Sequence, residues 1–159
     1  MVLEVMEWME GTSLSLLFQS AVWYSPLIQV AHLVAVAVFS FSGALLVVDL
    51  RLLGTGLTQT TVKTVAEDAQ PWLMGGLIAL TVTGLPSLFS LAIKQYYSPF
   101  WWWKMEMLAL GLIFIFTVRR KVLQSDEADL GSFWPKVVGL VSMALFLGVT
   151  IGARLIGLS

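Results

Sequence analysis

Side chains able to do chemistry are scarce in this chain, and most of them fall inside long apolar stretches. His32 is its single histidine, and Lys104, Met105, Glu106, Met107 and Arg154 are further ionisable or metal-capable residues so placed. One histidine with two methionines is a ligand set for a soft metal such as copper(I), and a His-Met pair can also hold the iron of haem b. A carboxylate with Lys and Arg nearby, sunk in an apolar medium, either pairs off as a polar clasp or marks a proton or head-group site. Asp49 and Arg51 form a further charged couple; being two residues apart, they point to different sides of a helix.

Other chemistries are excluded by composition. The chain has no cysteine, which removes disulfides, thiolate metal centres, covalent c-type haem and Cys nucleophiles. It has no Gly-rich phosphate loop, no Ser-His-Asp set in a credible context and no carboxylate pair on adjacent helix turns, so catalysis is not expected. A net charge of -1 gives no nucleic-acid footprint.

The elements that must position these residues are membrane spans. Hydrophobic residues make up 58% of the 159 positions and charged residues 12%. Soluble domains carry about 25% charged residues, so bilayer is the solvent. The expected architecture is an all-α, four-transmembrane-helix antiparallel bundle with an N-terminal interfacial amphipathic helix, all in one domain over 1–159. Expected spans are about 27–50, 72–93, 100–118 and 134–156. The first follows Pro26 and stops at Gly54 and Gly56. The second holds Thr81, Thr83, Gly84, Pro86 and Ser87, so a kink is expected, with hydroxyls supplying freed carbonyls. The polar stretch from Thr55 to Gln70 reads as a loop with a helical turn over Val62 to Ala69.

The interfacial segment, about 3–22, has Met6, Met9, Leu16, Leu17 and Phe18 on an apolar stripe broken at Gly11, with Ser13 as an N-cap. It lacks the basic start of a secretory signal. Lying on the membrane is the expected role; docking on a partner subunit is the alternative. On the fourth span Ala144, Gly148 and Gly152 recur every four residues, a small-residue face for bundle contact first and for a dimer second. The triplet Trp101 to Trp103 reads as an interface anchor rather than a binding box.

Sidedness follows from the basic residues near span ends. Arg51, Lys63, Arg119, Arg120, Lys121 and Lys136 fall on one side, and Lys94, Lys104 and Arg154 on the other. The positive-inside rule puts both termini outside, on the periplasmic face of a bacterial inner membrane. At the 1.5 Å helical rise, His32 and Glu106 lie about 9 Å from the outer boundary and Lys104 about 6 Å. Contacts of Glu106 with Arg154, Lys104 or His32 are therefore expected. Asp49 is expected to cap interhelical contacts at the inner boundary, and Arg51 to reach lipid phosphate.

A resemblance covers nearly the whole chain. Its pieces are Ala31 and His32, then Asp49 through Gly54, in span one; Thr83 and Gly84; Tyr97 to Phe100 with Lys104 and Met105; and Gly152, Ala153 and Arg154. In their order and spacing they resemble an uncharacterised bacterial four-helix inner-membrane protein family, a domain of unknown function. The resemblance implies a four-helix membrane protein and no established activity. Similar sequences often carry a histidine near the inner end of span three, where this chain has Thr117 and Val118. Thr117 lies about 25 Å from the outer boundary, too far below His32 for the two levels to share one iron.

The leading functional expectation is a non-catalytic integral membrane subunit or accessory protein docking on a larger membrane complex, redox or energy-converting. Its partners are then the lipid bilayer and other membrane subunits or further copies of itself. No cofactor is expected in that role. The alternatives are a haem- or copper-binding redox module centred on His32, and a small proton- or ion-conducting homo-oligomer.

Overall fold

The computed structural model describes residues 1–20, 22–37, 43–125 and 131–156, and their regular structure is helical throughout. In chain order these are α1 (Val2–Glu10), α2 (Ser13–Ser20), α3 (Tyr24–Val36), α4 (Ala44–Leu53), α5 (Val62–Ser90) and α6 (Ala92–Tyr97). Next come α7 (Pro99–Phe114), a π-turn (Ile115–Arg119), α8 (Arg120–Gln124) and α9 (Phe133–Ile156). Three helical runs are long and apolar enough to cross a membrane: α5, the run Pro99–Gln124 and α9. A shorter apolar helix, Pro26–Val36, lies within α3. This is the build of a multi-pass membrane protein in contact with lipid.

The first apolar stretch departs from a single uninterrupted helix. Its middle, 38–42, lies outside the described residues, and α4 begins only after Gly43, whose φ of -110° and ψ of -141° are not helical. The lower end of α4 is closed as its glycines predict. Gly54 turns left-handed at φ 78°, its N–H bonds the Arg51 carbonyl, and Thr55 N–H reaches back to the Leu50 carbonyl at 3.1 Å. That pairing is the Schellman motif, which glycine enters without the steric penalty of a Cβ.

The second span is longer than its hydropathy indicates. α5 starts at Val62 rather than Trp72, because Thr61 caps it: the Thr61 hydroxyl accepts from Thr64 N–H. Its 29 residues measure about 43 Å against roughly 30 Å of hydrocarbon. The polar first turns therefore lie beyond the apolar layer, where a helix needs only its own hydrogen bonds. Pro71 and Pro86 both sit inside it. Around Pro86 the hydroxyls of Thr81, Thr83 and Ser90 bond the carbonyls of Leu77, Ala79 and Pro86. The helix ends at Leu91 and α6 leaves it at a changed direction of chain. The third apolar run also overshoots its expected end at Val118, continuing through the π-turn to Gln124.

Packing is uneven along the bundle. α5 holds α3 against its later half and α4 against its earlier half, while α9 packs on α7 and α4. At the lower end, beside the 54–61 loop, Leu45, Val48 and Leu52 of α4 meet Leu73, Ile115, Val138 and Phe146 in the main core. Close approach is set by glycines here: a Cβ on Gly139 would stand 3.0 Å from the Asp49 carbonyl oxygen, and one on Gly111 3.0 Å from the Phe146 ring. At the upper end a second cluster joins Met6 of α1, Ala92 of α6 and Trp101 of α7.

That second cluster fixes the N-terminal pair. Gly11 separates α1 from α2, and the cap of α2 is Thr12 rather than Ser13: the Thr12 hydroxyl accepts from Ser15 N–H at 3.3 Å. Ser15, fully buried, donates to the Phe89 carbonyl at 2.8 Å. Glu10 reaches across to accept from Ile93 N–H at 2.7 Å, supplying from a distance the N-terminal cap of α6.

Candidate functional site

Two polar centres lie in the bundle. The lower one is an ion pair. Asp49 on α4 and Arg119 at the end of the π-turn meet through Oδ1, which accepts from Nε at 3.0 Å and lies 3.0 Å from Nη2. Nη2 also donates to the Leu45 carbonyl at 3.3 Å, and the two side chains are only 2% and 3% exposed. Ser142 of α9, fully buried, lies beside Asp49, but its hydroxyl falls short of a hydrogen bond. A π-turn inserts one extra residue into a helical turn and so rotates the side chains beyond it; in this helix the rotation directs Arg119 inward. So Arg119, counted among the basic residues at a span end, is a core residue, and the interhelical contact of Asp49 is an ion pair with it. Arg51 turns the other way: its Nε donates to the Thr60 carbonyl at 2.6 Å, bracing the 54–61 loop.

The upper centre is built on His32. α3 and α5 run antiparallel there, and His32 Nδ1 lies 2.8 Å from Thr83 Oγ1. The Thr83 hydroxyl has one proton, and its 2.7 Å contact with the Ala79 carbonyl takes it. With that proton so placed, Nδ1 is the donor in the contact with Thr83. Gly84 faces this ring, and a Cβ there would meet His32 Cε1 at an ordinary contact distance of 3.5 Å. Lys104, half-buried on α7, is within electrostatic reach of His32. Among the described residues no ion pair joins Lys104, Glu106 or Arg154 to one another or to His32. Glu106 and Arg154 are exposed instead. The expected clasp does not form because positions 104 and 106 diverge on one helix.

The methionines separate in the same way. Met105 packs on the upper cluster with Trp101, and Met107 lies against Gly148 of α9. The structure thus places His32, Met105 and Met107 on different contacts and does not gather them as a ligand set. Among the described residues no three of His, Asp and Glu come together to hold a metal ion. On α9, Gly148 and Gly152 face α7, where a Cβ would stand 3.3 Å from Met107 Cγ and 3.0 Å from Trp103 Cδ1 respectively; Ala144 is exposed. Trp101 is buried in the core, while the indole N–H groups of Trp102 and Trp103 bond the Tyr96 and Gly148 carbonyls.

Residues that sequence reasoning missed are Arg119 as a core cation, Ser142, Glu10 and Ser15. Each acts across at least 70 residues of chain, or upon such a contact, so no local pattern announces it. An acid in a span is the one signal that pointed toward the first of them.

Comparison with curated proteins and with solved structures gives no match. The model of a family of unknown function, DUF6644, matches residues 5–159. The motif pieces that converge here, His32 on Thr83 and Gly84 and the Asp49 stretch on Arg119, all lie within that match, and the chain belongs to this family of unknown function.

Proposed function

We propose that this protein is a non-catalytic integral membrane subunit, a four-span antiparallel bundle that docks on a larger membrane assembly through its N-terminal helix pair. The observation carrying this is the way α1 and α2 are held. Their inner face is tied down by Met6, by Ser15 to Phe89 and by Glu10 to Ile93. Their outer face leaves Val5, Trp8, Leu16 and Leu17 exposed, together with Glu4 and Glu7 and no Lys or Arg. Helices that lie on lipid head groups carry basic residues on their polar face. An acidic and apolar face, rigidly presented, fits a protein surface better than an anionic membrane.

The same reading sets the protein in a bacterial inner membrane with both termini outside. With Arg119 buried, Arg51, Lys63, Arg120, Lys121 and Lys136 still outnumber Lys94, Lys104 and Arg154 across the bilayer.

Native electrophoresis of membranes solubilised in mild detergent tests the docking. The expected result is a species well above the 17.5 kDa monomer that a Trp8→Ala, Leu17→Ala double variant loses while the free chain stays folded. A wild-type protein running alone as a monodisperse monomer overturns the proposal.

A further inference from the structure

A cavity of about 530 Å³ lies at the lower end of the bundle, between α4, the earlier half of α5 and the 54–61 loop. Its volume is within the roughly 300–1,000 Å³ of small-molecule sites. Gly43 and Ala44 on one wall and Ala69 on the other carry too little side chain to fill the space. Val47 and Trp72 also line it and are exposed, so it opens toward the surrounding bilayer. From Gly43 down to the loop it runs beside the 10 residues of α4, about 15 Å, or one leaflet of hydrocarbon.

The lining says what fills it. Around Gly43, Ala44 and Val47 the walls are apolar. A water molecule held there would lack the two to four polar partners it needs, and empty space would forfeit packing contacts. An alkyl chain of the bilayer supplies those contacts. Below Trp72 the lining turns polar, with Thr60 and Asp68. Asp68 stands one helical turn, about 6 Å, below Trp72, at the level of lipid head groups. It is exposed, and among the described residues no ion pair reaches it. Thr60 gives its N–H to Leu57 and its carbonyl to Arg51, which leaves its hydroxyl to donate elsewhere. Leu57, also in the lining, holds a left-handed backbone at φ 48°, unfavourable for a bulky residue, with its side chain largely exposed. Cover by a lipid chain would offset that cost.

We propose that this cavity is a site for one phospholipid with a primary ammonium head, of the phosphatidylethanolamine class, drawn from the leaflet beside the 54–61 loop. One acyl chain lies in the apolar part between α4 and α5. The ammonium N–H groups donate to the Asp68 carboxylate, and the phosphate accepts from the Thr60 hydroxyl. An anionic lipid without an ammonium would set its charge against that of Asp68. The site is at the opposite end of the bundle from the N-terminal helix pair, so its failure would leave the subunit reading untouched.

The test is native mass spectrometry of the purified full chain in mild detergent, titrated with phosphatidylethanolamine and with phosphatidylglycerol of identical acyl chains. Saturable binding of one phosphatidylethanolamine per chain is expected, about fivefold tighter than phosphatidylglycerol, the scale of one exposed ion pair. Asp68→Asn, on an exposed position, should bring the two lipids to equal affinity without disturbing the fold. Val47→Trp, also on an exposed position, should fill the cavity and remove the saturable site for both. Absence of saturable phosphatidylethanolamine binding overturns the proposal, and so does a preference that survives Asp68→Asn. Equal affinity for the two lipids in the wild-type chain, or tighter binding of phosphatidylglycerol, overturns it as well, a comparison that needs no variant to fold.

Discussion

Replacing Arg119 with methionine should be among the most damaging single changes in the bundle. The guanidinium lies 3.0 Å from Asp49 Oδ1, with both side chains at most 3% exposed. At that separation the gross attraction is about 5.5 kcal/mol for an effective dielectric of about 20. Desolvation of each ion costs several kcal/mol and offsets much of that gain. The pair is therefore worth little as a pair, but Arg119→Met leaves a buried carboxylate with no cation, at a cost of about 3–5 kcal/mol. That lowers the folded-to-unfolded ratio by roughly 10² to 10⁴. Asp49→Asn should cost a similar amount from the other side. The double variant Asp49→Leu, Arg119→Met removes both charges and should return to within about 1 kcal/mol of the parent. Equilibrium unfolding in bicelles by steric trapping measures all four corners of this cycle. A cost below about 1 kcal/mol for Arg119→Met, or a double variant as unstable as either single, would refute the reasoning.

Gly139→Ala should cost about 1–3 kcal/mol in the same assay, because its Cβ would press on the Asp49 carbonyl at 3.0 Å and on Leu52 Cβ at 3.1 Å. Gly75→Ala meets nothing within 4 Å and should stay within about 1 kcal/mol of the parent. Glu10→Ala removes the acceptor for Ile93 N–H, and hydrogen exchange at that amide should quicken by about tenfold, with Glu10→Gln intermediate. Thr61→Ala should fray the first turn of α5, seen as faster exchange at Thr64, for about 1 kcal/mol. Gly152→Leu should destabilise the fold by driving into Trp103 and Lys104, yet leave the oligomeric state measured by light scattering unchanged, since that face is filled within one chain.

Local patterns carry the legible part of this fold. Hydropathy marks the apolar runs, Gly54 marks the end of α4, and Gly11 marks the break between α1 and α2. Two departures share a cause. By sequence the second span opens at about 72 and Arg119 counts as a basic residue near a span end, because both stand where apolar sequence gives way to polar. A helix does not stop where the bilayer does: Thr61 begins α5 well before Pro71, and the π-turn carries helix past Val118. At the candidate site, His32 stands out for its rarity, but the partner that fixes its tautomer is 51 residues away. Depth alone groups Glu106, Lys104 and Arg154 at one level. It does not give their angular positions, and those decide that no clasp forms.

The Asp49–Arg119 pair also has a schedule. Seventy residues separate the partners, which at about 5–20 residues per second is roughly 4–14 s of translation. For that interval the carboxyl near the lower end of α4 has no guanidinium to meet. Its low-cost states are protonated within the bilayer or ionised among the head groups. Closure of the lower core therefore waits on the ribosome, and the third apolar run arrives carrying the counter-charge that lets the first one settle.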